Sequence, residues 1–119
     1  MELRATNVLR RRLVDSLLKA ARENSAPIWG KVAEELAKPR RRRRAVNISR
    51  INRYTKPGDV VVVPGKVLGS GVLDHAVTVA AFSFSKSALE TIRRAGGRAM
   101  SIEALVKENP KGAGVKVIG

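Results

Sequence analysis

The sequence predicts an α/β fold: a compact body of strands and short helices, led by a basic helical region. Three observations point there. Apolar residues recur at helical spacing through the first third of the chain. Four consecutive valines, Val60 to Val63, mark a strand buried on both faces. From residue 46 onward, strand-like segments alternate with short helical ones. The 119 residues suit one domain with a core of modest size.

Thr6 to Glu23 has the pattern of a first helix. Thr6 is a suitable N-cap, and Leu9, Leu13 and Leu17 recur every fourth residue, flanked by Leu18, Ala20 and Ala21. Arg11, Arg12 and Lys19 lie three or four residues from Asp15, so part of this charge is compensated locally. Asn24-Ser25-Ala26-Pro27 breaks the period. Pro27 suits the first turn of a second helix, which buries Ile28, Val32 and Leu36 and ends at Lys38-Pro39. Such a pair is a helical hairpin or, in its sharper form, a DNA-reading helix-turn-helix. The narrow apolar face favours the hairpin.

Beyond residue 45 the period changes. Val46-Asn47-Ile48-Ser49 alternates as a strand with one buried face. Lys56-Pro57-Gly58-Asp59 is turn chemistry. The valine strand is stopped by Pro64-Gly65, and Lys66 to Gly71 is a glycine-rich loop. Ala76 to Phe84 is a second long strand. Ser85 caps a third helix with Ala88, Leu89, Ile92 and Ala95 on its inner face, and Gly96-Gly97 closes it. Ala99-Met100 is a short strand. Ser101 caps a fourth helix containing Ile102, Leu105 and Val106, which Asn109-Pro110 ends, and Val115 to Ile118 is the last strand.

Charge divides the chain. Twenty-four Lys/Arg against ten Asp/Glu give a net +14. Residues 1–56 hold 16 basic and five acidic side chains, whereas residues 57–119 hold eight and five. Between Lys38 and Lys56 there are nine basic residues and no acid, including the consecutive Arg40, Arg41, Arg42, Arg43 and Arg44. Five adjacent guanidiniums repel one another and have no apolar anchor, so order there needs external negative charge. A solvated loop or an import signal accounts for such a run. Insertion into RNA or DNA also accounts for arginine rather than lysine, because guanidinium pairs with phosphate bidentately and stacks on bases. The first helix, with Arg10, Arg11 and Arg12, is a second candidate contact. The expected organisation is a helical, arginine-rich region over residues 1–45 that meets the polyanion, and an α/β core domain over residues 46–119.

No catalytic constellation emerges. The absence of cysteine excludes a disulfide scaffold, a thiolate zinc site and a cysteine nucleophile, and the single His75 excludes a multi-histidine metal site. The acids are scattered, so no cofactor or metal is expected. Asp74-His75 resembles part of a triad, but strand neighbours point to opposite faces and form no relay. Pro64 to Gly71 resembles a phosphate cradle. A nucleotide-binding loop, however, needs glycine, four residues, then Gly-Lys-Ser/Thr. Here Val60 stands at the first position and Val67 follows Lys66. A dinucleotide site fails too, because no helix directly follows Gly69-Ser70-Gly71. What remains is a tight strand-to-strand loop, or backbone N–H groups and Lys66 meeting an RNA phosphate. The loop Asn109 to Gly114 is likewise a flexible turn or a backbone contact to RNA. No apolar run reaches the roughly 18 residues a membrane span needs, and no apolar signal region follows Met1-Glu2-Leu3-Arg4. The expectation is a soluble intracellular protein with no small-molecule substrate and a strong attraction for polyanions.

Four segments carry a family resemblance. Val46-Asn47-Ile48-Ser49-Arg50-Ile51-Asn52-Arg53-Tyr54-Thr55 resembles the start of the core of archaeal and eukaryotic large-subunit ribosomal protein eighteen. The stretches Gly58 to Gly71, Val77 to Ser85 and Glu108 to Gly112 are similar to it as well. The likeness runs through essentially the whole chain, and the length resembles the short archaeal form. It implies a fold related to bacterial-type large-subunit protein fifteen, with irregular strand–strand–helix turns and a basic N-terminal region reaching across RNA. It also implies a structural, non-enzymatic constituent of the large ribosomal subunit in the cytoplasm. Its partners would be the large-subunit ribosomal RNA and neighbouring ribosomal proteins. Carried over residue by residue, the RNA contacts would be Arg40 to Arg44, Asn47, Arg50, Asn52, Arg53 and Lys66. Val72 and Ala76 depart from more polar family residues, which implies less exposure there. Only Trp29, Tyr54, Phe82 and Phe84 are aromatic, too few for stacking platforms, so contacts would run through phosphate, 2′-hydroxyl and shape. The competing class is an architectural nucleic-acid-binding protein outside the ribosome.

Overall fold

Four valines in a row need apolar cover on both sides, and the architecture supplies it. The computed structural model describes residues 2–38 and 45–119, with side chains from Val8 onward. Two helices, α1 (Glu2–Glu23) and α2 (Pro27–Ala37), precede β1 (Val46–Asn47), α3 (Ile48–Tyr54) and β2 (Val60–Leu68). Then follow β3 (Thr78–Phe84), α4 (Lys86–Arg94), β4 (Arg98–Ser101), α5 (Ile102–Glu108) and β5 (Val115–Val117). The valine strand β2 is central. It pairs with β3 along one side, while its other side is shared by β5, against Val60 to Val62, and β1, against Val67 and Leu68. β4 extends the sheet beyond β3, and every pairing is parallel.

Side chains along β2 point alternately to two cores. Val61, Val63 and Val67, with Val79 and Ala81 of β3, meet Ile48 and Ile51 of α3 and Ala88 and Ile92 of α4. Val62 and Ala80 face the other way, onto Leu13 and Leu17 of α1, Trp29, Val32 and Leu36 of α2, and Ile102 and Leu105 of α5. The sheet is therefore sandwiched between helices, as parallel strands require. β2, β3 and α4 follow one another as strand, strand, helix, and the connection over residues 69–77 holds no helix. The α/β class and the irregular turns are both as expected.

Several elements differ from the expectations. α1 begins at Glu2, so Thr6 lies inside it; Glu2-Leu3-Arg4-Ala5 are good helix formers and carry the helix back. The strand expected over residues 46–49 is two residues long, and Ile48 opens α3 instead. Ile48 and Ile51, three apart, are both fully buried, which is a helical spacing. Pro64-Gly65 does not stop β2. One extra residue between Val63 and Lys66, opposite β3, makes a bulge that tolerates the missing proline N–H. Lys66 therefore belongs to the strand, and the loop proper starts at Gly69. Val72 is 70% exposed, against the reduced exposure expected there.

The caps explain the helices that were foreseen. Ser85 Oγ accepts from the Ala88 N–H, and Ser101 Oγ from the Ala104 N–H. Lys38, which precedes a proline, has an extended conformation that ends α2. α1 and α2 form the hairpin. The outward residues of α2 include Glu34 and a Glu35 paired with Lys38, a poor surface for a DNA-reading helix.

Candidate nucleic-acid interface

Because all strands are parallel, the carboxyl ends of β1 to β4 lie along one edge of the sheet. β1, β3 and β4 run directly into α3, α4 and α5, and β2 turns into Gly69-Ser70-Gly71. This edge gathers Asn47, Ser49 and Arg50, then Lys66 and Ser70, then Ser85, Lys86 and Ser87. Residues 45–53, 64–72 and 83–89 contain no carboxylate. The glycines let the loop sit tightly between two helix starts. A Cβ on Gly69 would lie 2.2 Å from Ser87 Oγ and 2.9 Å from the Ala88 nitrogen. Gly71, at φ +104°, would place one 2.5 Å from Ser49 Cβ, and Ser49 N–H donates to the Ser70 carbonyl.

Several exposed cations enter no ion pair among the described residues. The pairs that form there include Lys38 with Glu35, Arg94 with Glu90, Arg98 with Glu108 and Lys116 with Asp59. Arg11, Arg12, Arg50, Arg53 and Lys66 are exposed and take part in none of them. Arg10 is half-buried on α1. The run Arg40 to Arg44 lies outside the described residues. Asn47 precedes α3 without capping it through its side chain, and its Oδ1 is a buried acceptor lacking a partner among the described residues. Asn52 is different: its Oδ1 accepts from the Asp74 N–H at 3.1 Å, so that oxygen already serves the fold.

Tyr54 is the residue the sequence reading missed. It is 54% exposed at the end of α3, with the Arg50 guanidinium carbon 5.6 Å from its ring centroid. The signal was the four-residue spacing of Arg50 and Tyr54, which becomes meaningful only once this segment is helical.

Asp74 and His75 do meet, contrary to the strand argument. β3 starts only at Thr78, so both lie in a loop, and His75 Nδ1 is 2.7 Å from Asp74 Oδ1. His75 Nε2 is 2.7 Å from Thr55 Oγ1, which in turn donates to the Ile51 carbonyl at 2.7 Å. Thr55 is 8% exposed and its hydroxyl is bound to the backbone, so the chain of bonds ties the loop to α3 rather than presenting a nucleophile. The His75 hydrogen bond, aided by Asn52, holds the Asp74 carboxyl below its ordinary range against a smaller desolvation effect.

The second glycine loop is held in place too. Trp29 Nε1 donates to the Pro110 carbonyl at 2.7 Å, Gly112 packs against Ile28 and Trp29, and Asn109 Nδ2 donates to the Ala113 carbonyl. Among the described residues no cluster of three or more acidic or histidine side chains could hold a metal ion, and no helix is long and apolar enough to cross a membrane.

Known proteins resemble this chain closely. It is 57% identical over 106 residues to "Large ribosomal subunit protein eL18" of Archaeoglobus fulgidus, covering 89% of this chain and 91% of that one. The protein of the same name from Methanoregula boonei is 50% identical over 95% of this chain and 93% of its own. The one from Methanococcus maripaludis is 48% identical, with 98% of both chains covered. The family model described as ribosomal protein 60S L18 and 50S L18e matches residues 2–118. The chain belongs to that family.

Proposed function

We infer that this protein is a structural constituent of the large ribosomal subunit that binds ribosomal RNA. The observation that carries it is the near full-length likeness to large-subunit ribosomal proteins. It is not an enzyme, and it works in the cytoplasm, where the subunit does. Its partners are ribosomal RNA and other ribosomal proteins. The exposed cations Arg11, Arg12, Arg50, Arg53 and Lys66 support an RNA surface on α1, α3 and β2. That surface also takes in Arg10 and Asn47, and the run Arg40 to Arg44 is a further proposed contact. Asn52 lies beside that surface, with its amide engaged by Asp74. Residues 1–45 and 46–119 divide the labour into RNA-contacting region and α/β core, although α1 and α2 also cover one face of the sheet. Competition tests the reading. Folded large-subunit ribosomal RNA should displace a labelled RNA fragment at far lower concentration than duplex DNA. Equal displacement by the two would favour an architectural protein outside the ribosome.

A further inference from the structure

A cleft of about 840 Å³ opens between α1 and the carboxyl ends of β3 and β4. Its apolar walls are Leu9, Leu13, Phe82 and Ile102. A lone exposed leucine means little, but Leu9, 61% exposed, forms the rim of a concavity with the half-buried Phe82 inside it. The polar groups besides Arg12 are few: the Ser16, Ser83 and Ser101 hydroxyls, the last already capping α5, and the Glu103 carboxylate. Apolar walls with a few fixed polar groups suit a flat, partly polar ligand.

The charge around the cleft selects the ligand. Arg12 lines it. Lys66 is in register with Ser83 on the neighbouring strand, so the two side chains leave the same face of the sheet. Both cations are exposed and neither has an ion-pair partner among the described residues. They come from positions 54 apart in the sequence, and Ser83, which lines the cleft with Arg12, links the two. Cations beside an apolar slot fit a sugar-phosphate strand that passes over the lip with one base turned inward.

We propose that this cleft holds a single unstacked nucleotide of ribosomal RNA, gripped through Arg12 and Lys66 on phosphate and through Leu9 and Phe82 on the base. The proposal rests on the RNA-binding reading above. Glu103 decides the base. An ionised carboxylate only accepts hydrogen bonds, so it favours an edge with adjacent N–H donors, as guanine presents at N1 and N2.

The test uses the full chain bound to large-subunit ribosomal RNA, probed with kethoxal at guanine N1 and N2 and with hydroxyl radicals along the backbone. The wild-type protein should protect an unpaired guanine from kethoxal. Ser16→Phe, which fills the cleft without changing charge, should restore that guanine's reactivity and weaken binding about tenfold, the value of losing one buried base. The rest of the backbone footprint should persist. Glu103→Gln, a conservative change at an exposed position, should restore the same guanine's reactivity if Ser16→Phe fails to fold. Unchanged base reactivity in the folded variants would overturn the proposal. So would loss of a ribosomal protein partner with the RNA footprint intact, which would give the cleft to protein. Absence of any footprint with the wild-type chain would instead remove the RNA-binding reading itself.

Discussion

Asp59 and Asp74 each use a carboxylate to fix a loop. Asp59 Oδ2 accepts from the Lys56 backbone N–H at 2.8 Å and from Lys116 Nζ at 2.9 Å, and in that order these contacts hold its carboxyl below the ordinary range. Asp74 is lowered by His75. A carboxyl whose folded value lies below its unfolded one, about 3.9, stabilises the fold fully above that pH and loses the effect as pH falls through the folded value. Urea midpoints should therefore fall as pH drops below about 4. Asp59→Asn and Asp74→Asn should each lower the neutral-pH midpoint and flatten the acid limb; an acid limb identical to wild type would show that these carboxylates are not held. Two glycines give a second check. Gly58, at φ +86°, has open space around it, so Gly58→Ala should cost about 1–2 kcal/mol for backbone conformation alone. Gly71→Ala also meets Ser49 and should cost about 1–3 kcal/mol more. Equal midpoints for the two variants would contradict the close approach of the loop to α3.

Local signals reveal elements, and non-local packing hides others. Ser85 and Ser101 stand just before α4 and α5, so their capping bonds were legible from residue type and position. α3 was not, because its seven residues offer only Ile48 and Ile51 as buried anchors, and Val46-Asn47-Ile48 also alternates like a strand. β2 passes through Pro64-Gly65 because a bulge against β3 absorbs the irregularity, and that depends on partners 17 and 18 residues along the chain, Ser83 to Lys66 and Ala81 to Val63. The loop over residues 109–114 looked free in sequence because its anchor, Trp29, is 81 residues from Pro110. Trp29→Phe keeps most of the buried ring and removes the donor to the Pro110 carbonyl. The expected cost is about 1–3 kcal/mol in urea unfolding with an unchanged m-value. A neutral result would mean that the carbonyl finds water instead and that the indole bond does not hold the loop.

At the scale of the whole molecule, the sheet arranges charge that the chain carries in separate places. The excess of cations was legible from composition, and so was the arginine run, but not that Arg12 of α1 lines a cleft with Ser83, the register partner of Lys66. That juxtaposition follows from α1 lying across the sheet, which helical periodicity alone does not specify. Held mainly through phosphates, the protein should bind large-subunit ribosomal RNA with log K falling against log salt at a slope of roughly −5 to −8, for about six to nine counterions released. Replacing Arg41, Arg42 and Arg43 with serine should leave the urea midpoint unchanged or slightly higher, since self-repulsion falls. The same change should flatten the slope by roughly 1 for each phosphate that no longer meets an arginine. Unchanged affinity in the folded variant would move the main contact to Arg10, Arg11 and Arg12. The most direct measurement is sedimentation of the tagged chain, expressed in cells of one of its relatives and fractionated on a sucrose gradient. Co-migration with the large subunit, persisting through a moderate salt wash, is the predicted result. A tagged chain that folds yet stays at the top of the gradient, or that travels with chromosomal DNA, would contradict the assignment to the ribosome.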